Sequence, residues 1–335
     1  MPTAALADAL ALAVVAFAGG AFGAALGALP SFTFCGFLVV AGETYKLAGR
    51  NIADGAVESV GFVDALAFGP LFGPHVAFGG GAAAAAYLAT RDEMPVEGFA
   101  YAPAKRVTTG LGTRPDALAV GGAFGVLGHL VATGSAALSL PYDPVAMGVV
   151  VSALAHRAVF GYALVGARDG LFDMNRPGAE PWLPYMTRWP NVVAVGLAGG
   201  ALGGYVAHRT GSVFLAFGLS VAILVFVNAG VARIPVTHHI TLPASTAVLA
   251  AIPGPLSSLS PADIAATMPL WEAVALGAVF GLLGAVFGEL SQRVLYAHAD
   301  THLDPPAASI VVTSFVVAML ALAGVLPGSV WVPVP

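Results

Sequence analysis

The chain has 335 residues, of which 58% are hydrophobic and only 9% charged, against roughly 25% charged in a typical soluble domain. So few charges cannot furnish a soluble surface, whereas a bilayer supplies an apolar solvent. The formal net charge of −5 includes no basic run suited to nucleic acid, and the one cysteine, Cys35, excludes an intrachain disulfide framework or a multi-Cys metal site.

In chain order, the first thirty residues are apolar but lack a basic leader, with Asp8 as the sole charge before Glu43. They read as a retained first span rather than a signal peptide. Apolar stretches then predict membrane segments at 6–29, 31–42, 74–90, 117–138, 144–166, 192–209, 211–232, 238–252, 270–296 and 306–325. The stretches 31–42, 74–90 and 238–252 are short for a full crossing, so tilted, broken or re-entrant helices are expected there. Residues 43–73 are either an external loop or a segment that enters the membrane. The 42 glycines suit close helix packing, because buried apolar area no longer drives association in lipid.

Orientation follows from the basic residues. With the N-terminus outside, the cytoplasmic side receives Arg91, Lys105, Arg106, Arg114, Arg157, Arg168, Arg176, Arg188, Arg233 and Arg293, and the outside only Lys46, Arg50 and Arg209. Both termini are therefore expected outside a cell membrane. Trp182, Trp189, Trp271 and Trp331 fall near span ends, where amphipathic rings settle. Arginine far outnumbers lysine, which hints at a GC-rich prokaryotic genome.

Four blocks recur in the same order. Gly19-Gly20-Ala21-Phe22-Gly23 returns as Gly199-Gly200-Ala201-Leu202-Gly203, with Phe34 and Phe37 meeting Phe214 and Phe217 at the same offset. Pro74-His75-Val76-Ala77-Phe78 matches His238-His239-Ile240-Thr241-Leu242. Gly121-Gly122-Ala123-Phe124-Gly125 matches Gly277-Ala278-Val279-Phe280-Gly281. Asp143-Pro144 with Ser152 matches Asp304-Pro305 with Thr313. The expectation is an all-α polytopic membrane protein with about ten transmembrane segments. They form a first repeat (1–170), a cytoplasmic linker (171–190) and a second repeat (191–335). Five spans per repeat would invert the second against the first, a plan that places sites at the repeat interface near the midplane.

The equivalent histidines His75 and His239 each open an apolar segment after a proline-containing break, where imidazole could donate, accept or relay a proton. His238 is the other member of its doublet. The plainer alternative is two interfacial helix ends bonded to backbone. Thr241 and Ser245 share a helix face and add hydroxyls, or simply pack helices. Asp143 and Asp304 suit N-caps with proline at the first helical position, and Ser152 and Thr313 lie deeper, where they could line a path. Glu289 has Arg293 at i+4, as an intrahelical pair would. Asp64 is a membrane carboxylate or an external loop charge. His298, Asp300 and His302 alternate as metal ligands might in extended chain, but the first repeat has no counterpart, and a solvated loop is the simpler reading. No resident metal or cofactor is expected.

No phosphate loop, nucleophile elbow or zinc-protease motif occurs, so a non-enzyme is expected. The leading expectation is a channel or secondary transporter for a small solute or ion, with the bilayer as its other partner. Ammonium and urea channels share the five-plus-five plan, though their motifs are not found here, and homo-oligomers are common among them. The competing readings are a membrane-embedded enzyme acting on lipid, with His75 and His239 as catalysts, and a non-catalytic membrane subunit of a larger complex.

Overall fold

In the computed structural model, residues 2–52, 61–166, 172–254, 256 and 259–333 are described. The chain is helical, with no strand among the described residues. Arg168, placed above on the cytoplasmic side, and part of the 43–73 insertion lie outside the described residues.

Helices α1 (Pro2–Leu26) and α2 (Ala28–Ile52) meet at Gly27, whose φ of 95° is open to glycine without strain. After a π-helical turn (Val63–Ala67) come α3 (Ala77–Ala89), α4 (Pro115–Ala137) and α5 (Pro144–Phe160). The remaining helices are α6 (Trp189–Thr210), α7 (Leu215–Ala222), α8 (Leu224–Asn228), α9 (His238–Ala250), α10 (Pro261–Thr267), α11 (Leu270–Leu295) and α12 (Pro305–Leu322).

Five helices are long and apolar enough to cross a membrane by length and composition: Ala5–Leu26, Pro115–Ala137, Trp189–Thr210, Leu270–Leu295 and Pro305–Leu322. Their outer faces carry Leu6, Leu10, Val14, Leu130, Leu202 and Val279, all exposed. Leu6 is 62% exposed and Val14 69%. Apolar side chains on the outside of an apolar bundle fit a membrane protein, since water would leave them without a favourable neighbour.

Two boundaries differ from expectation. The short stretch 31–42 belongs to the 25-residue helix α2. Glu43 and Lys46 do not end it, because they pair one turn apart at 2.9 Å, and Glu43 also accepts from Ser212 Oγ at 2.6 Å. The stretch 211–232 is divided between α7 and α8. There the Phe226 N–H reaches only to Ile223 C=O, tightening the last turn before Gly230 at φ 78°.

The short stretches 74–90 and 238–252 become α3 and α9, 13 residues each. At 1.5 Å per residue each spans only ~20 Å, short of a ~30 Å hydrocarbon core. All thirteen residues of α9 are buried, and α3 is buried from Ala77 through Ala86. Glycine makes that burial possible. A Cβ added at Gly20 would lie under 3.0 Å from the Gly121 carbonyl, and one at Gly200 would meet the Gly277 carbonyl just as closely. Gly23 abuts the backbone of Ala77, and Gly203 that of Thr241. Gly128 closes on the His75 carbonyl and Gly284 on that of His239. Pro243 inside α9 has no N–H to offer the His239 carbonyl four residues back.

The contacts between α2 and α7 revise the phenylalanine pairing. Gly36 packs on Val221 and Ala222, while Gly218 packs on Val39 and Val40. The two contacts are related by an offset of 182, which pairs Phe32 rather than Phe34 with Phe214. Phe34 and Phe37 point outward and are exposed.

Gly20→Ala and Gly200→Ala should each cost about 1–3 kcal/mol through overpacking, read as a lower melting temperature in detergent. Gly134→Ala, whose Cβ would meet nothing within 4 Å, should be neutral or slightly stabilising.

Candidate functional site

A cavity of about 190 Å³ lies where four helices begin. Pro74 and Phe78 reach it from the start of α3, and His238 and Leu242 from the start of α9. Asp143 through Ala146 and Val149 come from the first turns of α5, and Asp304 and Ala307 from those of α12. Phe32, Phe68, Phe214, Phe217 and Ile310 complete the wall, with Asp64 and Trp331 at its edge.

The local sequence explains these helix starts. Asp143 Oδ1 accepts from the Ala146 N–H at 2.9 Å, and Asp304 Oδ2 from the Ala307 N–H at 2.9 Å. Each aspartate precedes a proline, which needs no hydrogen-bond acceptor at the first helical position. The N-cap reading of both is observed. The Asp143 N–H donates to Ser314 Oγ at 2.8 Å, some ten residues into α12, while Ala153 of α5 packs with Leu303 and Ala308. The two helices thus run antiparallel, each beginning about ~15 Å along the other.

A smaller cavity of about 40 Å³ lies beside the first. Phe32, Phe78, His238 and Asp304 line both. The Phe32 and Phe78 rings meet edge to face at 5.9 Å, and His238 lies at 5.0 Å from Phe32 and 5.8 Å from Phe217. These rings form the partition between the chambers. Trp182, Leu183, Val107, Val227 and His302 close the smaller one.

The predicted residues divide accordingly. His238 lines both chambers, and its Nδ1 is buried without a hydrogen-bond partner among the described residues. His75 and His239 are buried but do not line the central cavity. His75 lies against Gly128 and Gly148 and stacks on His129 at 6.4 Å. His239 sits in a third, small pocket with Trp182, Gly288 and Glu289. Thr241 Oγ1 lies 3.2 Å from Ser220 Oγ, and Ser245 donates to Gly203 C=O at 3.2 Å. Thr313 bonds back to Ser309 C=O at 2.9 Å, and Ser152 packs against Gly79. None of these four hydroxyls lines the cavity: those of Thr241 and Ser245 join helices, that of Thr313 bonds within its own helix, and that of Ser152 is buried without a hydrogen bond among the described residues. Glu289 pairs with Arg293 at 2.7 Å and also accepts from Gln292.

Among the described residues no group of three His, Cys, Asp or Glu could hold a metal ion. The alternation at 298–302 does not converge, because the chain turns at 296–300 instead of extending. Asp300 is exposed, while His302 folds inward against Tyr296 at 5.2 Å and Phe78 at 5.5 Å. Nor is this a purely solvated loop, since Thr301, His302 and Leu303 are buried.

Three features were not foreseen. One is the phenylalanine lining, for which the aligned Phe pairs were the available signal. The second is Arg157, counted above as cytoplasmic but 0% exposed. Its guanidinium donates to Leu164, Leu295 and Thr301 carbonyls at 2.6–3.0 Å and to Thr301 Oγ1 at 2.9 Å. His156 Nε2 also touches Thr301 Oγ1, at 3.0 Å. The third is Lys105, whose Nζ pairs with Glu180 at 2.7 Å and sits 4.6 Å over the Tyr296 ring. Burial pulls the Lys105 pKa down from its ordinary value, against the pull of Glu180 in the other direction. Glu180 also accepts from the Ala102 N–H, and its own N–H donates to the Ala297 carbonyl at 2.8 Å, so this segment is fastened to two neighbouring loops.

The sequence signature of a family of unknown function (DUF7973) matches residues 2–178 and again residues 174–335. The chain belongs to this family. No curated protein and no solved structure matches it.

Arg157→Met should orphan several buried acceptors at roughly 1–3 kcal/mol each, giving a clear drop in melting temperature in detergent. Arg157→Lys should fall between, because one ammonium cannot reach the same fork of acceptors.

Proposed function

We propose that the protein is a multi-pass transport protein of the cell membrane. In this reading ten membrane segments form two five-segment halves of opposite orientation, with both termini outside. The observation that carries it is the central cavity, walled by equivalent positions from each half. Pro74 and His238 line it, as do Asp143 and Asp304, and Phe32 and Phe214.

The family signature matching once in each half supports duplication. The helix contacts support inversion. The equivalent helices α2 and α7, and α5 and α12, pack antiparallel and reciprocally. A two-fold axis along the membrane normal would set equivalent helices parallel; an axis in the membrane plane sets them antiparallel. Short helices starting in the bundle interior also suit a pathway, because backbone at membrane depth is tolerated where it faces protein or a water-filled cavity.

The Phe32–Phe78–His238 partition is then the constriction, and Trp182 with Leu183 from the linker closes the inner chamber. The cavity then serves a channel or an ion-coupled secondary transporter. The protein is not an enzyme in this reading.

Reconstituted vesicles should pass at least one solute from a panel of small neutral and charged compounds faster than empty vesicles. Phe78→Ala, which opens the partition, should raise that flux several-fold, and Phe32→Trp should lower it. Folded protein that passes none of the panel would sink the transport reading.

A further inference from the structure

The lining of the larger chamber specifies a solute class. Among the described residues its charged groups are Asp64, Asp143 and Asp304, and no lysine or arginine lines it. Neither Asp64 nor Asp143 has a basic partner within 4 Å among the described residues; Asp304 has only His302, at 3.5 Å. The rest of the wall is mostly apolar, and five phenylalanine rings belong to it: Phe32, Phe68, Phe78, Phe214 and Phe217. His238 adds a buried imidazole with an unpartnered Nδ1.

Aromatic faces attract cations through the ring quadrupole, and do so more strongly when water is excluded. The converging helix starts would favour an anion only if their N–H groups were free. They are largely answered from within. Asp143 and Asp304 cap α5 and α12, the Gly73 and Pro74 carbonyls accept from the first turn of α3, and the Thr237 carbonyl accepts from that of α9. What remains is carboxylate charge inside an aromatic box. At about 190 Å³ the chamber is also smaller than the ~300 Å³ lower end of drug-sized pockets.

We propose that this chamber selects a compact organic cation, an ammonium carrying small apolar substituents, over neutral and anionic solutes. This rests on the transport reading for the role of the cavity but not for its occupancy.

The test is equilibrium binding of radiolabelled tetramethylammonium to the full chain in nanodiscs of phosphatidylglycerol, a lipid without an ammonium headgroup. Wild type should bind saturably, with competition from other alkylammonium ions and none from tert-butanol or acetate. Asn caps a helix about as well as Asp, so Asp143→Asn with Asp304→Asn should keep the fold and weaken binding by about tenfold or more, ~1.4 kcal/mol. Phe217→Leu should also weaken it, and Glu93→Gln, on an exposed loop, should not. No saturable binding, equal competition by tert-butanol, or undiminished binding in the Asn double variant would overturn the proposal. If the double variant fails to fold, the wild-type competition decides. Flux of neutral solutes without cation binding would remove the selectivity alone, whereas cation binding without any flux would remove the transport reading alone.

Discussion

A helix that begins inside an apolar bundle leaves its first N–H groups without partners, and each such group is costly to bury. Four helices of this protein begin that way, around one cavity. The solution differs by pair. At α5 and α12 an aspartate side chain accepts the N–H of the third helical residue, the positions before it being filled wholly or partly by proline. At α3 and α9 the preceding turn supplies carbonyl oxygens from Gly73, Pro74 and Thr237. Capping therefore has a second consequence. It places two carboxylates, beside Asp64, on the wall of a chamber that is otherwise mostly apolar and rich in phenylalanine, and gives the cavity its electrostatic character.

The glycine framework serves the same end. Two short, buried helices can sit at the centre only if their neighbours approach at backbone distance. Gly20 with Gly121, and Gly200 with Gly277, close that distance around α3 and α9. Polar ties then hold the ends. Glu43 reaches Ser212 on one side of the bundle. On the other, Arg157 gathers three carbonyls and a hydroxyl, and Lys105 with Glu180 fixes the linker. The helix cage is thus apolar outside, glycine-packed within, and polar where its segments turn.

Much of the fold was legible. Apolar runs located the helices, and the Gly-Gly-Ala and Asp-Pro blocks marked glycines that pack at backbone distance and the caps of α5 and α12. The Asp-Pro pairs were read correctly as caps, because local chemistry fixes a cap. Two kinds of feature were not legible. Helix α2 was cut short at Glu43 because composition cannot reveal that the carboxylate finds Lys46 and Ser212. The cavity lining was misjudged because it depends on rotation about each helix axis. His238 and His239 are adjacent in sequence, yet only the first lines the central chamber. Phe32 was overlooked because the offset of 180 singled out Phe34, which is exposed, whereas the reciprocal packing of Gly36 and Gly218 follows an offset of 182 and singles out Phe32, which lines the chamber.

The central claim is that the two halves are inverted, so that equivalent helix starts meet at one cavity. Ser139 and Asp300 lie four residues before the equivalent caps Asp143 and Asp304, and both are exposed. Cys35 is buried, with its thiol bonded to the Ala67 carbonyl at 3.0 Å, so introduced cysteines report alone. The decisive measurement is labelling of Ser139→Cys and Asp300→Cys by a membrane-impermeant maleimide in intact cells and in inside-out vesicles. The account predicts that position 139 labels only in intact cells and position 300 only in inside-out vesicles. Labelling of both from the same side would contradict it.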